Sequence, residues 1–426
     1  MTNIRASAAG GQLHIHAIAV CAALVCIGGS AAAGAVTRFE PFATVTYTHN
    51  SNVFSRPNDQ PPFAADGNTA LGDSIRSYLV GATADLDWGL NRLVLSAEGA
   101  HLDYNRFTTL DHTESKFGGA FDWYVTSFID GNLTYSQKRA MAPLADTLAE
   151  ALELQSEKTG SGTVRVHLTP RWRLDLQPSW HELETPLQDY PDFGFRETGG
   201  AVSINYLGIN KLVAGLRETY LDGSYHGIVA ATQYHQLTSE LTASYAVTGF
   251  SSFDGHLGYT RRTSSLIDPA VPLGPGAGLG QFVGTTSSLT GSLGVHRQLS
   301  VKTGVSLKVF RSVDSYVAGA NSQLSTGGEA NIKWEPDVRF SMSLRYRMVK
   351  QSIEGALAIA SFQARTDRYK AAELDLEYHM FDWLTLRPYA QREIRASNIH
   401  VASYNSTLAG IDLVARFNQP KPVPNY

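Results

Sequence analysis

Apolar and polar residues alternate with a period of two over long stretches of the chain. From Ala372 to Met380 the even positions are apolar or aromatic, and the odd positions are acidic or histidine. The same alternation runs from Val338 to Met348, where arginine and serine occupy the odd positions. A period of two is typical of β-strands, because successive side chains point to opposite faces. The pattern predicts an all-β protein whose strands have one apolar and one polar face.

The predicted strands are long, and the links between them alternate in length. The strand windows span about 10–14 residues, whereas globular strands average about 5–6 and membrane strands need about 9–11. Eight short links, such as Trp88–Asn91, alternate with nine longer ones, such as Arg139–Gln155. Short periplasmic turns and longer extracellular loops are typical of membrane barrels and less so of a soluble all-β protein. We predict a single transmembrane antiparallel β-barrel of about 18 strands (16–20) in the bacterial outer membrane.

The start of the chain has the order of a secretory signal peptide. A single charge, Arg5, precedes the apolar stretch Ala17–Gly29 and the small residues Ser30–Ala35. The apolar stretch is shorter than the roughly 20 residues that a membrane-spanning helix needs. We predict a cleavable signal peptide at 1–33 (cut after Ala33 or Ala35), a barrel at 34–417 and a Pro-rich periplasmic tail at 418–426.

Composition excludes several classes of protein. With 43% hydrophobic residues and a net charge of −4, the chain is not intrinsically disordered. A pI near 6.4 gives no indication of a nucleic-acid partner. Both cysteines, Cys21 and Cys26, lie in the predicted signal peptide, so no disulfide is expected in the mature protein.

The polar strand faces indicate where charged residues lie in such a barrel. About 16–18 strands enclose an aqueous channel, and Arg or Lys facing mid-bilayer lipid costs about 2–4 kcal/mol. We therefore expect these residues to line the lumen: Arg165, Lys302, Lys308, Arg339, Arg345, Arg347, Glu373, Asp375 and Glu377. Two interpretations stay open. Neighbouring strands pair these charges as a stiffening ladder, or the charges polarise the lumen and orient a charged solute.

Two further features concern the rims of the barrel. Tryptophans near the short links predict an interfacial girdle formed by Trp88, Trp123, Trp172, Trp334 and Trp383. The long link Arg139–Gln155 carries Leu148, Leu152 and Glu153 at helix-like spacing after Pro143. A short helix there either folds into the channel and constricts it or covers the rim.

No catalytic or metal-binding motif stands out. The mature chain contains no HExxH, GxSxG or GxxxxGK[ST] motif and no cysteine pair. We therefore predict that the protein is not an enzyme and that it has no catalytic residues, cofactor or metal site.

Three N-terminal motifs carry a family resemblance. They are Asn50-Ser51-Asn52-Val53-Phe54, Asp73-Ser74-Ile75-Arg76 and the hairpin from Tyr104 to Asp111 (YNRFTTLD). In these motifs the first quarter of the chain resembles the EpsL-type outer-membrane β-barrels of exosortase-associated exopolysaccharide gene clusters. The resemblance implies a role in moving or assembling a secreted polysaccharide, and it supplies no catalytic residues.

The leading functional hypothesis is thus export of an extracellular polysaccharide across the outer membrane. The expected partners are outer-membrane lipid, the polysaccharide and separate periplasmic or inner-membrane export components. The alternative is a general or substrate-selective porin for small solutes. A surface anchor or adhesin is a third hypothesis, for which loops of about 6–20 residues are modest.

Overall fold

The computed structural model describes residues 36–417 except 61–69, 145–151, 186–192, 209–210, 227–231, 269–279, 315–321 and 355–364. The predicted signal peptide and the tail lie outside the described residues. The strands are β1 (Val36–Asn50), β2 (Asp73–Trp88), β3 (Asn91–Tyr104), β4 (His112–Thr126), β5 (Ile129–Met141), β6 (Leu154–Thr169), β7 (Trp172–Thr185), β8 (Phe193–Leu207), β9 (Leu212–His226), β10 (Thr232–Thr248), β11 (Ser251–Asp268), β12 (Gly280–Ser300), β13 (Thr303–Asp314), β14 (Ser322–Trp334), β15 (Phe340–Glu354), β16 (Arg365–Phe381), β17 (Leu384–Ser397) and β18 (Tyr404–Arg416).

The strands form one closed antiparallel sheet. Each strand pairs with its neighbours in sequence, and β1 pairs with both β2 and β18, which closes the ring. Closure gives every strand two hydrogen-bonded neighbours. The backbone N–H and C=O groups of the strands are therefore paired within the sheet, which lipid could not do for them. The predicted all-β barrel of about 18 strands is confirmed.

The connections alternate between short turns and longer loops, as the sequence predicts. By the convention of bacterial barrels, the short turns face the periplasm and the loops face the exterior. Three outer loops concern the site: L1 (51–72) follows β1, L2 (105–111) follows β3, and L3 (142–153) follows β5. Two of the alternating stretches begin before the strands that they predict. Val301 and Lys302 precede β13, and Val338 and Arg339 precede β15, so these four residues lie in periplasmic turns.

The two faces of the strands differ in chemistry. Large apolar side chains on one face are exposed around the whole ring, for example Val45, Val80, Leu133, Val202, Leu216, Leu257, Leu293, Val309, Met348 and Ile411. The charged and hydroxylated side chains of the strands lie mainly on the opposite face. Because burying exposed apolar surface is favourable, the apolar face is the one that contacts lipid, and the polar face surrounds the lumen.

Glu218 departs from this pattern. It lies on β9 between Leu216 and Tyr220, on the same outward face, and Leu216 is 58% exposed. The Ser239 hydroxyl of β10 donates a 3.0 Å hydrogen bond to the Glu218 carboxylate. Glu218 is thus an acidic side chain on the mainly apolar outward face of the barrel.

Within the described residues, no helix is long and apolar enough to cross a membrane.

Candidate functional site

The largest apolar cluster of the described residues lies at the extracellular mouth. Its buried members come from strand ends and from L1, L2 and L3: Val53, Phe54, Tyr104, Phe107, Leu110 and Leu144. Phe54 of L1 and Phe107 of L2 meet edge to face, with ring centroids 4.7 Å apart. Leu102 and Leu152 pack against the cluster. Leu102 shares its face of β3 with Glu98, opposite the outward Leu95, so the cluster lies on the lumen side.

Polar side chains hold L1 in this position. Asn52 is almost fully buried, and its amide nitrogen donates to the carbonyls of Arg56, at 2.7 Å, and Asn405, at 3.0 Å. The Arg56 backbone N–H donates back to the Asn52 side-chain oxygen at 3.1 Å. The bond to Asn405 ties L1 to β18. The buried Asn52 amide keeps L1 in place, because breaking its hydrogen bonds would leave buried polar atoms unpaired.

L2 is held by carboxylates. Asp73 accepts backbone N–H bonds from Ser74 at 2.7 Å, Arg106 at 2.9 Å and Phe107 at 2.9 Å. Asp111 accepts the Tyr104 N–H at 2.7 Å. An ionised carboxylate can accept several bonds, and bonds to a charged acceptor are stronger than neutral ones. The two aspartates therefore fold L2 over the mouth.

L3 is tied to the same region. The buried His112 ring contacts Glu114 at 3.1 Å, and Glu114 accepts the backbone N–H of Met141 at 3.2 Å. The Ala142 N–H donates to the Glu153 carbonyl at 2.7 Å and closes the base of the loop. Burial raises the pKa of the Glu153 carboxyl above its usual range.

A cavity of about 360 Å³ lies between L1, L3 and the far wall of the barrel. On the loop side it is lined by Ser55, Pro143 and Leu144. On the wall side it is lined by Arg347, Val349 and Gln351 of β15, Tyr369 of β16, Glu393 and Arg395 of β17, and Tyr404 of β18. Leu144 follows β5, and β5 and β15 are eight strands apart in the ring of 18. The start of L3 therefore crosses the lumen.

Hydrogen bonds order the wall of this cavity. The Glu393 carboxylate accepts bonds from the Tyr369 hydroxyl at 2.6 Å, the Gln391 amide at 2.5 Å and the Tyr404 hydroxyl at 3.4 Å. Asp367, with 0% side-chain exposure, pairs with Arg365 and Arg395 at 2.9 Å each. A buried carboxylate between two guanidinium groups is fully paired, so Arg395 is fixed in position.

The predicted lumen residues of β15 and β16 divide into paired and unpaired groups. Arg345 contacts Glu373 at 3.0 Å and Glu329 at 3.6 Å, which is a ladder across three strands. Glu377 contacts His379 at 3.5 Å, and Asp375 faces Ser343 in register. Arg347 lines the cavity and lies 5.9 Å from the Phe310 ring centroid.

The other predicted lumen residues lie apart from the cavity. Arg165 pairs with Asp130 and donates to Asn132 at 3.1 Å, and Lys308 faces Glu329 in register. Lys302 and Arg339 belong to periplasmic turns, where the Lys302 ammonium donates to the Pro336 carbonyl. The structure therefore brings only Arg347 of the nine residues into the cavity.

Four of the predicted girdle tryptophans lie near strand ends next to periplasmic turns, and the fifth, Trp383, lies in the turn between β16 and β17. Trp88, Trp172, Trp334 and Trp383 are exposed, and Trp123 is half-buried. Trp123 packs over its register partner Gly131, where a Cβ would lie 2.4 Å from Trp123 Cζ2. Of the predicted loop residues, Leu152 packs on the mouth cluster and Glu153 lies at the base of L3. Leu148 lies outside the described residues.

Sequence reasoning missed most of the cavity wall. Tyr369 and Asp367 continue the odd-numbered polar face that contains Glu373, beyond the window from Ala372. Glu393 and Arg395 alternate in the same way along β17. Extending the alternation outward would have found these residues, whereas the approach of L1 and L3 depends on tertiary structure.

In the described part of the chain, no group of three or more His, Cys, Asp or Glu side chains could hold a metal ion.

These features define the class of the protein. A closed antiparallel barrel with an apolar outward face and short turns at one end is the architecture of outer-membrane barrels. The protein is a bacterial outer-membrane β-barrel.

No protein-family model and no curated protein matches the chain. Among solved structures it is similar to the FrpB iron transporter from Neisseria meningitidis, with 11% identity, a TM-score of 0.48 and coverage of 84% of this chain and 62% of that one. It is similar to the copper transporter OprC, with 10% identity, a TM-score of 0.48 and coverage of 88% and 64%. It is also similar to Pseudomonas aeruginosa OpdK with vanillate, with 11% identity, a TM-score of 0.45 and coverage of 89% of this chain and 99% of that one. The chain spans less than two thirds of the first two proteins, and these similarities concern the fold alone.

Proposed function

We propose that the protein is an outer-membrane channel for hydrophilic solutes that is narrowed on its extracellular side by L1, L2 and L3. The observation that carries the proposal is the cavity between Leu144 and Arg347, which come from nearly opposite sides of the ring. A wide barrel without inward loops would pass solutes by size alone, whereas a polar constriction selects among them.

Single-channel conductance of the purified protein in a planar bilayer tests this proposal. Leu144→Gly removes an apolar side chain from the constriction and should raise the conductance. Leu90→Gly is the matched control, because Leu90 is 71% exposed in the turn between β2 and β3. Absence of any ion current in the wild-type protein, or equal conductance in both variants, would contradict the proposal.

Export of an extracellular polysaccharide is the more specific candidate role. It is supported by the resemblance to EpsL-type barrels, whose motifs fall on the residues that hold L1 and L2 in the mouth. Asn52, Phe54, Asp73 and Phe107 all belong to these motifs. In this role the channel would receive polymer from separate periplasmic or inner-membrane components.

The small size of the cavity supports the other candidate, a substrate-selective porin for small solutes. About 360 Å³ is at the lower end of the range for small-molecule sites. A clean gene deletion separates the two roles when polysaccharide is assayed in the medium, on the cell surface and in the periplasm. Loss outside the cell with periplasmic build-up, reversed by the intact gene, would support export. Normal polysaccharide in every fraction would support the porin.

A further inference from the structure

Arg347 is the cavity guanidinium that a ligand can contact directly. Asp367 is paired with Arg365 and Arg395, and Glu393 adds a second negative charge, so these four groups cancel. Glu329, which lies opposite Arg347 in register, and Glu373 are both engaged by Arg345. Among the described residues, no carboxylate lies within ion-pair distance of the Arg347 guanidinium. Its guanidinium donors are therefore available to a ligand in the cavity.

The rest of the wall suits a ligand rich in hydroxyl groups. From the described residues, Glu393 Oε2 accepts one long bond, 3.4 Å from the Tyr404 hydroxyl, which leaves acceptor capacity for a further hydroxyl. Gln351 supplies an amide on the same wall. The half-buried Tyr369 ring offers apolar surface beside these polar atoms, as the C–H faces of a sugar ring require.

We propose that this cavity is a binding subsite for an acidic sugar unit, with the sugar carboxylate on Arg347 and sugar hydroxyls on Glu393 and Gln351. Arg347 is suited to this role, because a planar guanidinium binds a carboxylate through two parallel hydrogen bonds. Asp367 fixes Arg395 and the two tyrosines flank Glu393, so the subsite exists before the ligand arrives. The inference rests on the proposed channel function and names its substrate class.

Blocking of single-channel current by trigalacturonate, with maltotriose as the neutral probe, tests the subsite. In the wild-type protein, trigalacturonate should block at lower concentration than maltotriose. Arg347→Gln should raise the half-blocking concentration of trigalacturonate about 10- to 100-fold, the range expected for loss of a charged hydrogen bond. Arg347→Lys should give an intermediate value, because it keeps the charge and loses the planar fork.

Lys308→Gln is the matched control. It makes the same change of charge on the lumen face, and Lys308 does not line the cavity. Equal half-blocking concentrations in wild-type and Arg347→Gln protein, an equal effect of Lys308→Gln, or equally strong block by maltotriose would overturn the subsite while ion current still supports the channel. Absence of ion current in the wild-type protein would instead overturn the channel function itself.

Discussion

The Asp73 carboxylate accepts a 2.9 Å hydrogen bond from the backbone N–H of Phe107, and so joins the end of L1 to L2. It accepts the N–H of Arg106 as well. Asp73→Ala would leave these donors unpaired at about 1–3 kcal/mol each. We expect L2 to open and trypsin to cleave after the exposed Arg106 about tenfold faster than in the wild-type protein. Mass spectrometry of the digestion products measures this rate.

Asp59→Ala is the control for this experiment, because Asp59 is an exposed carboxylate of L1 whose ion pair, at 3.6 Å, is with the exposed His400. Its cleavage rate should match the wild-type rate. Equal cleavage after Arg106 in Asp73→Ala and wild-type protein would show that Asp73 does not hold L2.

Arg345 determines the balance of charge on the neighbouring part of the lumen wall. Arg345→Gln leaves Glu329 and Glu373 without their shared cation. We expect the reversal potential in a salt gradient to report about a two- to threefold rise in cation over anion permeability. Arg339→Gln makes the same charge change in a periplasmic turn and should shift the reversal potential less. An equal shift in both variants would show that net charge alone matters.

Glu153 makes the stability of L3 depend on pH. Its pKa in the folded protein is raised by burial above the ordinary value of 4.5, so the folded state binds the proton more tightly than the unfolded state. Below the pKa that Glu153 has in the unfolded protein, this group therefore does not lower the free energy of unfolding. It lowers that free energy as the pH rises through the pKa that Glu153 has in the folded protein. Glu153→Gln should raise the thermal unfolding midpoint at neutral pH and leave it unchanged near pH ~3.

The control for Glu153 is Asp382→Asn, in the exposed turn between β16 and β17. It should show no such pH-dependent gain. An unfolding midpoint of Glu153→Gln that is lower than wild type at neutral pH would mean that the Glu153 carboxylate stabilises L3 instead.

Glu218 faces lipid and should weaken the barrel. Charged side chains cost most near the middle of the bilayer, and acidic ones cost less than Arg or Lys, so we expect Glu218→Leu to add about 1 kcal/mol to the free energy of unfolding. Urea unfolding from lipid vesicles measures this difference. Glu240→Leu on the opposite face, where Glu240 contacts His256 at 3.7 Å, should not stabilise. A less stable Glu218→Leu protein would indicate that Glu218 has a partner in the membrane.

Strand number and strand direction could be predicted because their signals are local. The alternation along β15 and β16 follows from the two-residue repeat of an extended chain, and the turn at Gly89, with φ of 65°, lies between two such runs. The alternation does not mark the start of β15, because it already begins at Val338 and Arg339 in the preceding periplasmic turn.

The sequence by itself determined the number of strands, the apolar and polar faces of each strand, and the alternation of short turns with long loops. Only the tertiary structure decided that Leu144 of L3 lies across the lumen near Arg347, and that Arg345, but not Arg347, has an ion pair among the described residues. The physical reason is distance along the chain. A strand pattern repeats within a few residues, whereas Leu144 and Arg347 meet only because the sheet closes into a ring and an apolar cluster draws the loops inward.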